Sequence, residues 1–360
     1  MSVSEPRLVV FSPYGRRAGS SRVRVYEWID LLGIDATVHA FTDEHEAGFR
    51  QIARHPLRSL QRHRQLAATE IGPCEIVMIH RELSPFSNGR AEERLLRAGA
   101  HGILDLDDGL QWDWGQGGRA RRFQPKSPKI LRMARAADLV IAGNDLIAEW
   151  AAQHARKVLV IPSCVDPSQY RQKDNYDLLE QPLIGWIGSG ATEKHLMGWT
   201  DLLKEVNRET CARLVVLGAS SSRQSGLDEM IDRTSWTEKG GHTLPSYWDV
   251  GIMPLPDGLM ERSKCAYKLL QYGAAHLPAV ASGVGVNTEI CPTDFTRSDI
   301  TPLLGLLQAS PETRRRVAQD LASVVSTEYS FVANEQRYRS AVFGFDKEER
   351  LDGTEGGVRA

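Results

Sequence analysis

Two lysines and a glutamine recur along one stretch of the second half of the chain, and their spacing predicts an anion site. On a helix with ~100° between residues, Lys264, Lys268 and Gln271 fall within a stripe of roughly 60°. Lys264 would stand at the start of a helix predicted for Lys264–Ala275, where unpaired backbone N–H groups and the positive end of the helix dipole add to the charge. The charge and reach of this face suit a diphosphate. The alternative is a solvated lysine face without a ligand.

Three carboxylates in the first half of the chain stand at the end of a predicted strand. Asp105 and Asp107 alternate with leucines and therefore share one face of the strand, whereas Asp108 begins the loop that follows. Carboxylates in this position are suited to hydrogen bonds with a substrate hydroxyl. A cluster of three also raises the question of a metal ion.

Two further polar clusters follow predicted strands of the first half. A histidine beside an arginine and a carboxylate can position a substrate group, with a structural ion pair as the alternative. A glycine and two arginines that open a helix after the first strand favour an anion. These clusters contain His80, Arg81 and Glu82, and Gly19, Arg22 and Arg24. The second cluster lacks the G-x-G-x-x-G spacing, which disfavours a Rossmann oxidoreductase.

The elements that must position these residues form a repeating pattern along the chain. Short apolar runs alternate with amphipathic stretches, which is typical of doubly wound α/β domains with parallel sheets. Strands are predicted at Leu8–Phe11, Ala36–Ala40, Ile76–Ile79, Gly102–Leu106, Leu139–Ile141 and Val158–Ile161, and then at Leu183–Ile187, Arg213–Leu217, Val250–Met253 and Ala279–Ala281. Helices are predicted at Arg22–Leu32, Arg90–Ala98, Asp145–Ala155 and Lys194–Val206, as well as at Lys264–Ala275.

The pattern predicts two Rossmann-like domains, at residues 1–165 and 183–328, with a polar linker at 166–182 that contains two prolines. A C-terminal helix at 329–345 is expected to pack back toward the first domain, followed by a flexible tail at 346–360. Because open α/β sheets bind ligands at the carboxyl ends of their strands, we expect the domains to face each other across a cleft that holds the functional site.

Composition excludes several classes of protein. The 44 Lys and Arg against 46 Asp and Glu give a formal net charge of −2, which argues against a nucleic-acid coat or a polybasic membrane binder. The 5 cysteines form no C-x2-C pair, so we expect neither a zinc nor a redox site and a reducing, cytoplasmic location. No apolar run approaches the ~18 residues of a transmembrane segment.

A long run in the second half resembles the donor-binding motif of a known enzyme family. The residues KCAYKLLQYGAAHLPAVASGVGVNTEI, 264–290, resemble K-C-x-x-K-L-L-Q-Y-M-A-A-G-L-P-V-V-A-S-x-V-G-V-N-x-E-I, the motif of a subgroup of family 4 glycosyltransferases with the GT-B fold. Other segments resemble the same subgroup in the same order, among them AGSSRVRVYEWIDLLG (18–33), VMIHREL (77–83), ILDLDDGLQW (103–112) and IGWIGSGATEKHL (184–196). The resemblance extends over nearly the whole chain.

The resemblance implies a retaining glycosyltransferase that uses a nucleotide-diphosphate sugar of the UDP, GDP or dTDP type, with no metal and no further cofactor. The acceptor would be a hydroxyl compound, such as a small-molecule natural product. Without a metal, side chains and backbone amides must neutralise the departing diphosphate. The residues assigned to this group are Lys194, Lys264 and Lys268, with the small-residue turns Gly188, Ser189 and Gly190, and Gly283 and Gly285. The alternative for each turn is a plain strand-to-helix connection.

Other roles follow from the same resemblance. Gln271 would contact the ribose, Trp236 the base, and Asp257 or Glu261 the donor sugar; a half-buried core tryptophan is the alternative for Trp236. On the acceptor side, the catalytic candidates are His80, Asp107 and Asp108, with Gly19, Arg22, Arg24, Arg81 and Glu82 around them. The chain departs from the broad family at three positions, since Ser263 and Gln271 replace a glutamate pair and Ser189 replaces an arginine.

Two other functions stay open at this point. A nucleotide-sugar 2-epimerase would bind the same donor and turn it over without an acceptor. A two-lobed nucleotide or sugar binding protein would bind the donor without catalysis, and the missing glutamate pair favours this reading.

Overall fold

The chain forms two compact α/β units. The computed structural model describes residues 6–43, 55–112, 126–190, 192–219, 227, 229–291 and 299–344. One unit contains the described residues up to Ser163 together with those from Asn334 onward, and the other contains those from Cys164 to Ala333. The predicted tail at 346–360 lies outside the described residues.

The first unit is built on a six-stranded sheet in which all neighbouring strands are parallel. Its strands are β1 (Leu8–Tyr14), β2 (Ala36–Thr42), β3 (Ile76–His80), β4 (His101–Leu106), β5 (Leu139–Ala142) and β6 (Val158–Val160). Their order is β2-β1-β3-β4-β5-β6, so the winding direction reverses between β1 and β3. Open α/β sheets bind ligands at such a switch point.

Helices cover both faces of this sheet, because its central strands are apolar on both sides. Helix α1 runs through Gly19–Ser21, a wider π-helical turn at Arg22–Tyr26, and Glu27–Leu32. The other helices are α2 (Pro56–Ala67), α3 (Arg90–Ala98), α4 (Lys126–Ala136) and α5 (Asp145–Ala152). The core between the layers includes Phe11, Ile79, Leu104 and Ile130, which have no exposed surface.

The second unit has a five-stranded parallel sheet. Its strands are β7 (Leu183–Ile187), β8 (Arg213–Leu217), β9 (Ile231–Thr234), β10 (Val250–Met253) and β11 (Ala279–Ala281). The order β11-β10-β7-β8-β9 puts the switch point between β7 and β10. Its helices are α6 (Glu193–Met197), α7 (Thr200–Thr210), α8 (Glu238–Thr243), α9 (Leu259–Arg262), α10 (Tyr267–Ala274), α11 (Asn287–Ile290), α12 (Thr301–Gln308) and α13 (Pro311–Glu328).

The last helix, α14 (Phe331–Phe343), returns the chain to the first unit. Tyr338 of this helix stacks on Trp28 of α1, with ring centroids 4.1 Å apart and the ring planes at 6°. Both aromatic rings are almost fully buried, so the stack anchors the end of the chain to the first unit. No helix within the described ranges has the length and hydropathy of a membrane span.

All of the predicted strands are present, and three local predictions were wrong. Strand β9 was not predicted, because its residues Ile-Asp-Arg-Thr form an edge strand in which only Ile231 is buried. The helix predicted at Lys194–Val206 is interrupted between α6 and α7. The helix predicted from Lys264 begins at Tyr267, because Ala266 has a left-handed backbone with φ 49°.

Candidate active site

The carboxyl ends of β3 and β4 bring a histidine and an aspartate together at the switch point of the first sheet. His80 ends β3 and lies in register with Asp105 of β4. The distance from Nδ1 of His80 to Oδ2 of Asp105 is 2.7 Å. Because His80 has no exposed surface and Asp105 is 2% exposed, this pair lies beneath the edge of the sheet rather than on it.

The buried pair is completed by an arginine from the π-helical turn of α1. Arg24 donates from Nη2 to Oδ1 of Asp105, from Nε to Oδ2 at 3.2 Å, and from Nη1 to the carbonyl oxygen of Ile161 at 2.8 Å. Burial alone would raise the pKa of Asp105, but the Arg24 guanidinium and His80 together lower it. Asp105 is therefore a carboxylate that accepts hydrogen bonds.

A second aspartate, Asp107, lies closer to the surface than Asp105. Arg81 donates from Nε to Oδ1 of Asp107 at 2.6 Å and from Nη2 to Oδ2 at 2.9 Å. The hydroxyl of Ser20 donates to the same Oδ2 at 2.7 Å, and its Oγ lies 2.8 Å from Nε2 of His80. Burial would raise the pKa of Asp107, but Arg81 and His80 hold it well below the usual range. Asp108 is half-buried, with Oδ2 3.7 Å from Nη2 of Arg81.

The remaining candidates of the first unit have partners of their own. Glu82 accepts from Nζ of Lys126 at 2.9 Å and of Lys129 at 2.5 Å. Its burial would raise its pKa, but the two ammonium groups lower the pKa to about 2. Arg22 donates to Glu27 at 2.9 Å, and Gly19 is exposed beside Ser20. The structure therefore joins one network through Ser20, which contains His80, Arg81, Asp107, Asp108 and Arg24.

In the second unit, a tryptophan brings Lys268 and the turn after β7 together. Nζ of Lys268 lies 5.2 Å from the centroid of the Trp186 ring, a cation–π contact. A Cβ atom at Gly188 would lie 2.3 Å from the same ring, so only glycine fits there. The lysine of α10 and the glycine turn therefore contact one buried indole at the carboxyl edge of the sheet.

Lys264 and Lys268 form a cationic pair. Lys264 precedes α10, and Lys268 lies in the first turn of that helix. Burial, together with the charge of Lys264, lowers the pKa of Lys268 to about 7. Across the described ranges neither ammonium group forms an ion pair with a carboxylate. Such a pair is suited to binding an anion.

Gln271 lies one turn further along α10 from Lys268, on the same side of the helix. The residue is 3% exposed. Because a side-chain amide can both donate and accept hydrogen bonds, this position suits a polar ligand group.

The turns after β8 and β11 lie at the same carboxyl edge of the sheet. Gly285 has φ 56°, and a Cβ there would lie 2.4 Å from the carbonyl oxygen of Arg262, which places the Gly283–Gly285 turn beside the residues that precede Lys264. A Cβ at Gly218 would lie 2.5 Å from the carbonyl oxygen of Gly188 and 3.4 Å from Cβ of Trp236. Trp236 is half-buried beside the turn after β7.

The other donor-side candidates have different surroundings. Ser189, Gly190 and Lys194 are exposed at this edge. Asp257 is exposed and pairs with Arg262, which donates from Nε at 2.6 Å and Nη2 at 2.9 Å. Glu261 is buried, with Oε1 3.8 Å from Nε2 of His195.

Sequence reasoning missed two residues of these networks. Ser20 belongs to a quoted segment, but nothing in the sequence distinguishes its position from that of Ser21. Trp186 reads as a core residue of β7, and its contact with Lys268 follows from the packing alone. Within the described residues, no group of three or more His, Cys, Asp and Glu side chains is arranged to hold a metal ion.

Comparison with known proteins shows the fold. No protein-family model and no curated protein sequence matches the chain. The UDP-forming α,α-trehalose-phosphate synthase from Burkholderia xenovorans is similar with a TM-score of 0.58 and 14% identity, over 95% of this chain and 100% of that one. The glycosyltransferase from Rickettsia africae has a TM-score of 0.56 and 11% identity, over 94% and 99%.

A third similar structure is AviGT4, a glycosyltransferase involved in avilamycin A biosynthesis, with a TM-score of 0.51 and 11% identity over 95% of this chain and 99% of that one. These likenesses extend over both units. The predicted fold class, α/β with two Rossmann-like doubly wound units of the GT-B type, is therefore confirmed.

Proposed function

We propose that the protein is a retaining glycosyltransferase whose second unit binds a nucleotide-diphosphate sugar and whose first unit binds a hydroxyl acceptor. One observation carries the proposal: at the switch point of the second sheet, Lys264 and Lys268 lie together without a carboxylate partner among the residues that the structure describes. A diphosphate provides the two or more negative charges that this pair lacks.

The neighbouring groups fit the rest of the donor. The backbone at Gly190 allows phosphate oxygens to approach, because a Cβ there would meet nothing within 4 Å. The buried amide of Gln271 can donate to and accept from ribose hydroxyls. Trp236 offers a ring face to the base, and Lys194 adds a third positive charge from α6.

The acceptor would bind at Asp107 and Asp108, whose carboxylates are the outermost acidic groups of the first unit's network. The departing phosphate oxygen would take the proton of the acceptor hydroxyl on the face where the acceptor attacks, which gives retention of configuration without a separate strong base. The likeness to a glycosyltransferase of avilamycin A biosynthesis supports a natural-product acceptor.

A ligand screen in EDTA tests this proposal. The purified protein is heated with UDP, GDP, dTDP, ADP or NAD, and the screen is repeated with Lys264→Ala and Lys268→Ala. A ligand at ~100 times its Kd raises the stability of the folded state by ~2.7 kcal/mol. We expect one nucleoside diphosphate to stabilise the wild type and neither variant.

Arg208→Ala is the matched control, because it removes one exposed cation of the second unit at the far end of α7. It should retain the full ligand effect. Stabilisation by NAD alone, or equal stabilisation of the wild type and both lysine variants by a diphosphate, contradicts the proposal. Conversion of the nucleotide sugar into its 2-epimer, without hydrolysis or transfer, would instead indicate an epimerase.

A further inference from the structure

The hydroxyl group of Ser20 lies between Asp107 and His80, and the proposed function gives it no role. Its Oγ lies 2.7 Å from Oδ2 of Asp107 and 2.8 Å from Nε2 of His80. Ser20 is half-buried, whereas His80 has no exposed surface. Ser20 is therefore the member of this chain of contacts that a substrate can reach, and His80 acts through it.

The proton of the Ser20 hydroxyl is committed to Asp107. Both oxygens of Asp107 accept from the Arg81 guanidinium, and the pKa of this carboxyl lies well below the usual range. An ionised carboxylate has no proton to give. At 2.7 Å the two oxygens need a proton between them, and only Ser20 can provide it.

Both ring nitrogens of His80 are hydrogen-bond donors. Because the Ser20 proton points to Asp107, the contact between Oγ and Nε2 needs a proton on Nε2. Asp105 is also an ionised carboxylate, so its contact with Nδ1 needs a proton on that nitrogen. Nδ1 of His80 therefore donates to the carboxylate of Asp105, and Nε2 donates to the hydroxyl oxygen of Ser20.

Guanidinium and carboxylate groups surround this ring. Arg24 and Arg81 face the carboxylates of Asp105, Asp107 and Asp108. Tyr338 of α14 also interacts with Asp105, and burial together with the charge of Asp105 raises the pKa of its phenol.

We propose that Ser20 is a specificity residue for the acceptor, held so that its hydroxyl can only accept a hydrogen bond from the substrate. This inference rests on the proposed function for its substrate. A serine oxygen has one proton and two lone pairs. The proton is taken by Asp107 and one lone pair by His80, which leaves one lone pair. With the carboxylate of Asp108 in the same network through Arg81, this surface selects a hydroxyl or ammonium group and rejects a carboxylate, phosphate or ketone.

The proton positions are tested by NMR on protein labelled with ¹⁵N-histidine. We expect His80 to show two N–H signals protected from exchange with water. In Ser20→Ala, the Nε2 proton signal should disappear and the Nδ1 signal should remain. A single N–H signal in the wild type, or an unchanged spectrum in Ser20→Ala, overturns the proposal.

The NMR signals of His80 are identified by their loss in His80→Gln. If that variant does not fold, they are identified as the signals of the one histidine that Ser20→Ala changes. Ser21→Ala is the matched control, because Ser21 lies in the same turn and bonds to Ser12 at 2.8 Å. Its His80 signals should equal those of the wild type. The same spectra decide the proton positions whether or not the protein is a transferase.

A kinetic arm tests the substrate contact. With the nucleotide sugar that the ligand screen identifies and water as the acceptor, Ser20→Ala should lower kcat about tenfold, the value of one lost hydrogen bond of ~1.4 kcal/mol. The donor KM should stay unchanged, because the donor binds in the second unit. An equal rise in donor KM overturns the acceptor role, and absence of turnover in the wild type counts against the proposed function while the NMR result stands.

Discussion

The carboxyl-end edges of the two sheets differ in how their charges are balanced. At the edge of the first unit, two buried aspartates are each paired with a guanidinium group, Asp105 with Arg24 and Asp107 with Arg81. In the second unit, Lys268 contacts the indole ring of Trp186, and the charge that acts on its pKa is that of Lys264. Among the described residues, the first edge therefore balances its charges with ion pairs, whereas the second edge places two lysines together without a carboxylate.

This difference is what the proposed function expects of edges that bind different substrates. A balanced network holds its groups in fixed positions at no further electrostatic cost, which suits a neutral acceptor that binds by hydrogen bonds. An unbalanced lysine pair costs stability in the free protein and regains it when a diphosphate binds. The two edges should therefore respond to charge removal with opposite signs.

The largest effect is expected at the first edge. Asp105→Ala leaves the Arg24 guanidinium, itself 3% exposed, without its carboxylate and His80 without the acceptor of Nδ1. Breaking a buried ion pair from one side costs about 3–5 kcal/mol. Urea unfolding should report a loss in this range. Asp108→Ala, which removes a half-buried carboxylate from the same loop, should cost far less, and equal losses in the two variants would contradict the comparison.

At the second edge, Lys268→Met should stabilise the free protein below pH 7. The pKa of Lys268 is about 7 in the folded state, compared with about 10.4 in the unfolded chain. Between these values the unfolded state binds one more proton than the folded state. The stability of the wild type should therefore fall as the pH drops from 10 to 7, by at most about 1.4 kcal/mol per pH unit.

The variant cannot bind that proton in either state, so its stability curve should be flatter over this range. Urea unfolding at pH 6, 8 and 10 measures the difference between the wild type and Lys268→Met, which should be largest at pH 6 and vanish near pH 10. Lys204→Met, on the middle of α7, is the control and should run parallel to the wild type. A difference independent of pH would mean that Lys268 is not shifted.

The sequence predicted the architecture because both sheets are buried on both faces. Their central strands are continuous apolar runs such as Leu8–Phe11 and Ile76–Ile79, and these need no tertiary information to be recognised. Strand β9 breaks this rule, since as an edge strand it exposes Asp232 and Thr234. The start of α10 was missed because its boundary depends on the left-handed backbone of Ala266, for which an alanine gives no local signal.

The residue types of the candidate site were predicted, but their partners were not. Lys264 and Lys268 were grouped by helical spacing, and the structure keeps them close although Lys264 precedes the helix. Glu82 was placed beside the acceptor, whereas two lysines from the start of α4 occupy its carboxylate. Contacts between residues distant along the chain depend on how helices pack on the sheet, which spacing within one segment does not specify.

The smallest effect on stability is expected for Asp257, and this position sharpens the comparison at the donor edge. Its ion pair with Arg262 is more than half exposed, so solvent screens it, although the hydrogen bonds from Arg262 lower the pKa of Asp257. Asp257→Asn should therefore leave the melting temperature unchanged. If Asp257 also contacts the donor sugar, the same variant should weaken binding of the nucleotide sugar and leave that of the nucleoside diphosphate unchanged, as measured by calorimetry with both ligands. Equal affinities of wild type and variant for both ligands would remove Asp257 from the donor site, and they would leave the lysine pair as the charge that holds the donor.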